Sequence, residues 1–246
     1  MIGFRLVTYN VHKCKGMDLR VSTCRIADVI RELKADVVIT QEILHSQAEA
    51  ISGALGLHLT FGSVRQHRSE PYGNAVFSAL EFISCEAHDL TVRNREPRQC
   101  LHVSLPLTGD KRLNVFAVHL GTSFFERREQ ARRLVSSKIL DRPELAGSRI
   151  LAGDFNEWSY GLASQLASQH LRSADISMHL NRRSTYPGLI PFMHLDHIYY
   201  DPEIHLRRMR LERTRLALLA SDHLPLVADF EVGEDASRLH SIDSQQ

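Results

Sequence analysis

The chain places a β-hairpin among strand–helix units, and that mixture narrows the possible folds more than any other feature. Leu101, Val103, Leu105 and Leu107 alternate strictly, Thr108-Gly109-Asp110 signals a turn, and Leu113 to Leu120 follows as a second strand. Elsewhere strands alternate with amphipathic helices. Phe4 to Asn10 reads as a strand, Ile26, Val29, Ile30 and Leu33 fall on one helical face, and Asp36 to Gln41 reads as a buried strand. Ser46 with Glu49 resembles a capping box, and Gly56 suits that helix's stop. Asn74 to Ser78 is a short strand, Ser123 with Glu126 opens a capped helix running to about Leu140, and Arg149 to Gly153 is a strand. Ser159 to His170 reads as a helix, and Leu195 to Tyr200 and Leu224 to Val232 close the series as strands. Hairpins beside strand–helix units argue against an all-parallel doubly wound sheet. Two mixed sheets packed face to face, with helices outside, fit better.

A chain of 246 residues suits one domain rather than two. That domain is expected over residues 1–232, and Gly233 to Gln246, polar and without periodicity, is expected to be a mobile tail. No apolar run approaches the ~20 residues that span a bilayer, and the N-terminus starts directly on a strand pattern without a secretory leader. Read as a complete chain, it is expected to be cytoplasmic, with Cys14, Cys24, Cys85 and Cys100 as reduced thiols. A net charge of +1 gives no global field of the kind a nucleic-acid coat needs. Basic residues cluster only locally, at Arg127-Arg128, Arg132-Arg133 and Arg207 to Arg215.

The informative feature is where the polar residues fall. Asn10, Glu42, His119, and Asp154 with Asn156 each stand where an apolar strand stops. Groups at strand ends are held by a rigid sheet, which suits catalysis. Gly153-Asp154-Phe155-Asn156 puts a carboxylate and a carboxamide two apart, and on extended backbone both share a face. Asp can take a proton from water, and Asn can hydrogen-bond a phosphoryl oxygen without adding charge. A plain turn whose side chains cap the next helix explains this string about equally well. Ser221-Asp222-His223 offers a hard oxygen and an imidazole, and Leu195-Asp196-His197 offers another carboxylate. Each reads alone as an ordinary turn or strand edge.

Taken in order, Thr8-Tyr9-Asn10-Val11-His12, Gln41-Glu42, Tyr72-Gly73-Asn74, His119-Leu120-Gly121, Gly153-Asp154-Phe155-Asn156, Leu195-Asp196-His197-Ile198 and Ser221-Asp222-His223-Leu224-Pro225 resemble the endonuclease/exonuclease/phosphatase superfamily. That superfamily includes DNase I-like nucleases and neutral sphingomyelinases, and the resemblance runs from about Phe4 to Val232. It implies a four-layer αββα sandwich of two mixed sheets flanked by helices. It implies Mg²⁺ or Mn²⁺ held by Glu42, with Asn10 and Asp222 nearby. It places Asp154 on the attacking water, Asn156 on the phosphate, and His223 and His119 on the phosphoryl oxygens, with Asp196 orienting His223. One of the two histidines is expected to protonate the leaving group. Asn74 is similar to a phosphate-contacting Asn of the superfamily. His12 shares a face with Asn10, near metal or phosphate, and reads equally as a hydrogen-bonded loop histidine. Trp158 reads as a packing residue at a helix start.

These residues imply a metal-dependent phosphoesterase acting on phosphodiesters in a nuclease-like way. The alternative is a phosphodiesterase or phosphatase for phospholipid or small-molecule esters, so the expected partner is a nucleic acid or a phospholipid headgroup. Inositol 5-phosphatases carry a Pro-x-Trp-Cys-Asp-Arg run that this chain lacks around Asp196, and a compact bacterial branch is the better match. The basic run from Arg207 to Arg215 reads as a polyanion track or, equally, as a charge-protected strand edge. A non-catalytic binding module ranks low, because Glu42, Asp154, Asn156, Asp222 and His223 are all present.

Overall fold

The computed structural model describes residues 2–107, 111–157, 161–174, 185–186 and 193–233. The turn expected at 108–110, Trp158, the first residues of the Ser159 helix and nearly all of the expected tail lie outside the described residues. Two six-stranded mixed sheets form the centre. The first has the order β11-β12-β1-β2-β4-β3, from β1 (Ile2–Asn10), β2 (Val37–Leu44), β3 (His58–His67), β4 (Glu70–Ser78), β11 (Ile204–Leu211) and β12 (Leu226–Val232). The second has the order β5-β6-β7-β8-β10-β9, from β5 (Ser84–Asp89), β6 (Gln99–Pro106), β7 (Arg112–His119), β8 (Ser148–Asp154), β9 (Arg172–Ser173) and β10 (Asp196–Tyr200). This is the four-layer DNase I-like αββα sandwich that the sequence motifs imply.

Alternation along the strands builds the layers. Phe4, Leu6, Ile39 and Val76 meet Leu101, Val103, Val115 and Ile150 between the sheets. Val7, Tyr9, Val38 and Phe77 face outward, under α1 (Thr23–Leu33), α2 (His45–Leu55) and α5 (Arg215–Ala220). Phe116, Val118, Leu151 and Tyr199 pack under α3 (Phe124–Leu134) and α4 (Leu162–His170). Each sheet holds one parallel pair at its middle, β1 with β2 and β7 with β8. Parallel neighbours need a crossover. Here α1 and α3 supply it, so the carboxyl ends of both pairs carry polar groups.

Several local expectations change. The α2 start is not capped by Ser46: the helix begins at His45, Gln47 Oε1 accepts the Leu44 N–H at 3.2 Å, and the Ser46 N–H donates to Glu70. Gly56 does end it, at φ +66. At α3, Ser123 makes no side-chain cap bond, and the buried Glu126 accepts from Gln130 instead. That helix stops at Leu134 rather than near Leu140, where Ser136 Oγ takes the Lys138 N–H in competition with helical bonding. Arg207, Arg208 and Arg210 of the basic run lie on β11, an edge strand, while Arg213 falls in the loop after it and Arg215 opens α5. Arg207 pairs there with Glu231 at 2.6 Å, and Arg210 stands 3.7 Å from Asp229, a pattern that suits edge protection. No helix among the described residues is long and apolar enough to cross a membrane.

Candidate active site

The site forms where the carboxyl ends of both parallel pairs meet. Asn10 ends β1, His119 ends β7 and Asp154 ends β8, as the strand pattern suggests. Glu42 does not end its strand. It sits inside β2 in a bulge, where the register with β4 shifts between Thr40 and Ile43, and its φ is +56. His12, Lys13, Cys14 and Asn156 also adopt positive φ. Non-glycine residues rarely take that region, and such strain gathers where surrounding structure fixes a functional geometry.

Asp154 is the hub. It is 1 % exposed, and its Oδ2 accepts from Asn10 Nδ2 at 3.1 Å. His119 Nε2 stands 3.7 Å from that same oxygen and His223 Nε2 3.8 Å from it. Gly153 makes the close strand approach possible: at φ +150, an added Cβ would lie 1.9 Å from the Val118 carbonyl oxygen. Burial pushes the Asp154 carboxyl up to about 6, against the pull of His223. Past Asp154 the backbone turns rather than running extended. Asn156, at φ +50, reaches back with its N–H to Asp154 Oδ1 at 2.8 Å. The capping alternative for this string falls to another residue, since Glu157 accepts the Ala163 and Ser164 N–H groups at the start of α4. Asn156 lines the cleft and donates one amide hydrogen to the Leu120 carbonyl.

The two imidazoles are held by opposite partners. His223 Nδ1 lies 3.0 Å from Asp196 Oδ2, and Asp196 is fully buried with no hydrogen-bond partner for its Oδ1 among the described residues. Burial opposes the charge on His223, but Asp196 and Asp154 outweigh it and carry the imidazole up to about 10. His119 Nδ1 instead faces Arg98 Nη1 at 2.9 Å. A guanidinium only donates, so His119 Nδ1 accepts and its proton is on Nε2. Burial, reinforced by the Arg98 charge, pushes this imidazole down to about 3.

Asn10 is held on both ends of its carboxamide. The His12 N–H donates to its Oδ1 at 3.1 Å, so its amide hydrogens face Glu42 and Asp154. His12 turns its Nδ1 to Asp222 Oδ2 at 3.1 Å. Asn74 is buried on β4 and is not among the side chains lining the cleft. The cleft of ≈ 520 Å³ is lined by Glu42, Asp154, Asp222, His119 and His223. It also exposes Lys13, Arg65, Arg98 and Arg127, which the motif reading left out. Lys13 had a signal, following His12 directly. Arg98 had none, because it comes in from the segment between β5 and β6.

The donor set fits a hard divalent cation. Burial opposes the charge on Glu42, yet His119, Lys13 and the Asn10 hydrogen bond bring its carboxyl down to about 2. Asp222 is likewise held below the usual range, against burial, by His12. The Lys13 ammonium rests 3.2 Å from Glu42 Oε2.

The sequence matches the profile of the Endonuclease/Exonuclease/phosphatase family over residues 7–223. The chain belongs to that family, whose members are hydrolases acting on phosphoesters. A UPF0294 protein of Vibrio cholerae serotype O1 is 29 % identical over 156 residues, or 61 % of this chain and 51 % of that one. The chain thus spans about half the length of the curated relatives it matches. Among solved structures, an endonuclease/exonuclease/phosphatase from Beutenbergia cavernae superposes with a TM-score of 0.72 at 23 % identity, covering 94 % of this chain and 72 % of that one. A mannosyl-6-phosphatase of Bacteroides thetaiotaomicron gives a TM-score of 0.75 at 19 % identity, covering 93 % and 99 %. At these identities the likeness speaks for the fold.

Proposed function

We propose that the cleft hydrolyses phosphodiester bonds with the help of Mg²⁺ or Mn²⁺, in the manner of a nuclease. The observation that carries this reading is the approach of two imidazoles and one carboxamide to a single buried carboxylate oxygen, Asp154 Oδ2. A carboxyl raised to about 6 is an effective base near neutrality once ionised. Asp154 takes the proton of the attacking water, and Asn10 steadies the carboxylate that takes it. Asn156 has an amide hydrogen left for a phosphoryl oxygen. His223, as an imidazolium, and His119, as a neutral Nε2–H donor, offset the charge that builds on the other phosphoryl oxygens. Any proton that the departing oxygen draws from an imidazole has to come from His223. Glu42 and Asp222 would hold the metal ion, with Asn10 and His12 fixing their orientation. When bound, that ion neutralises charge on the phosphoryl group.

The test is a panel of plasmid DNA, RNA, phospholipid headgroup esters and p-nitrophenyl phosphate mono- and diesters, each with Mg²⁺, Mn²⁺ or EDTA. The expected result is metal-dependent cleavage of at least one diester, lost in Asp154→Ala at unchanged circular dichroism. Near-normal turnover by that variant, or cleavage indifferent to EDTA, overturns the reading. Cleavage confined to monoesters, the chemistry named in the mannosyl-6-phosphatase neighbour, would move the protein to the phosphatase side of its family.

A further inference from the structure

A second group of donor side chains meets on the outer face of the second sheet, at its β5 edge. Glu86 and His88 are two apart on β5 and share a face, and His102 on β6 stands directly opposite Glu86 in the antiparallel register. Glu86 Oε2 is 3.5 Å from His88 Nε2 and 3.8 Å from His102 Nδ1. All three donor atoms lie within 4.8 Å of one another. Tetrahedral zinc, bound at ~2.0–2.1 Å to nitrogen and oxygen, sets its ligand atoms about 3.3–3.5 Å apart. Two of the three edges are therefore close to that spacing, and the third lies within 4.8 Å.

The tautomer of His102 is fixed from behind. Its Nε2 lies 3.1 Å from Asn114 Oδ1, while Asn114 Nδ2 donates to the Ala146 carbonyl. Asn114 therefore presents an acceptor, His102 carries its proton on Nε2, and the bare Nδ1 faces Glu86. A hydrogen bond from the far ring nitrogen is how metal-binding histidines are oriented. The ring is also clamped flat on Phe116, centroids 4.3 Å apart. His88 Nε2 is buried with no hydrogen-bond partner among the described residues, a costly state for a polar atom. Burial lowers the pKa of both imidazoles, which favours the neutral, ligating form. Arg142 Nη2 donates to Glu86 Oε2 at 2.6 Å and steadies the carboxylate. A simple Glu86–Arg142 ion pair accounts for the carboxylate, but for neither the fixed His102 tautomer nor a buried His88 nitrogen that meets Glu86 only at 3.5 Å.

We propose that Glu86, His88 and His102 form a site for a borderline transition-metal ion of the Zn²⁺ class, separate from the hard-oxygen site at Glu42. Two imidazoles and one carboxylate suit such an ion better than Mg²⁺. Bound there, it ties the edge strand β5 to β6. Zinc is titrated calorimetrically into the metal-free full chain in excess Mg²⁺, which occupies the oxygen site. One zinc equivalent is expected in the wild type and in Glu42→Gln, with binding at least a hundredfold weaker in His88→Ala at unchanged circular dichroism. Co²⁺ should give an intense tetrahedral visible spectrum that His88→Ala abolishes. If His88→Ala alters the circular dichroism, His88→Gln, which keeps a polar side chain, takes its place. Equal zinc affinity in the wild type and the His88 variant, or no zinc binding by the wild type in excess Mg²⁺, overturns the proposal.

Discussion

His119 and His223 reach the same carboxylate oxygen from different sheets, at 3.7 and 3.8 Å. One ends β7 and leans on Arg98. The other precedes β12 and leans on Asp196. The distances to Asp154 Oδ2 are nearly equal, and the partner behind the ring differs in sign. A guanidinium leaves His119 neutral with its hydrogen on Nε2, whereas a carboxylate keeps His223 cationic. Proximity alone therefore does not assign a histidine its role. The group bonded to its far nitrogen does.

The comparison breaks most visibly at His223. His223→Gln keeps a donor and loses the charge, and turnover in the substrate panel is expected to fall ~10²–10⁴-fold at unchanged circular dichroism, with a lowered melting temperature because the buried Asp196 loses its charged partner. Asp196→Asn should cost less, on the order of tenfold to a hundredfold, and should also change the pH profile. In the wild type, activity is expected to fall below about pH 6, as Asp154 takes a proton, and above about pH 10, as His223 loses one. Asp196→Asn should draw the alkaline limb toward neutrality and leave the acid limb in place. The stability linkage has the same origin. A His223 raised above its ordinary 6.5 contributes stability fully present below that pH and lost as pH rises through about 10. The fall in melting temperature between pH 7 and pH 10 should therefore be smaller in the Asn variant. Arg98→Met frees the His119 tautomer and should lower turnover about tenfold, the worth of one good hydrogen bond, without moving the alkaline limb. A moved limb there would mean that the histidines are not independent. Arg98→Lys keeps a donor but not the fork, and should cost only a few-fold.

How legible this was in the sequence follows from the same contrast. That Asp154, Asn156 and His223 share one cleft was legible because each lies in a short string beside a strand, and the alternation of Leu101 to Leu107 pointed to a mixed-sheet architecture. Arg98 could not be read, since its bond to His119 exists only once β6 pairs with β7. Asn10 was legible as a strand end, but its hydrogen bonds to His12, Glu42 and Asp154 are details that only the folded backbone shows. Glu42 looked like a strand end because a bulge carries no sequence mark of its own here. Asn74 followed a motif whose residue is buried in this chain. Ser46 and Glu49 had the right spacing for a cap, one residue beyond where the helix begins.

The account rests on one charged and one uncharged imidazole facing Asp154. Histidine-selective ¹⁵N NMR tests this most directly, in the Mg²⁺-loaded protein at about pH 8, the middle of the expected activity range, with His119→Gln and His223→Gln for assignment. The account expects His223 protonated on both nitrogens and His119 as the neutral Nε2–H tautomer with a bare Nδ1. A neutral His223, or a His119 protonated on Nδ1, would contradict it.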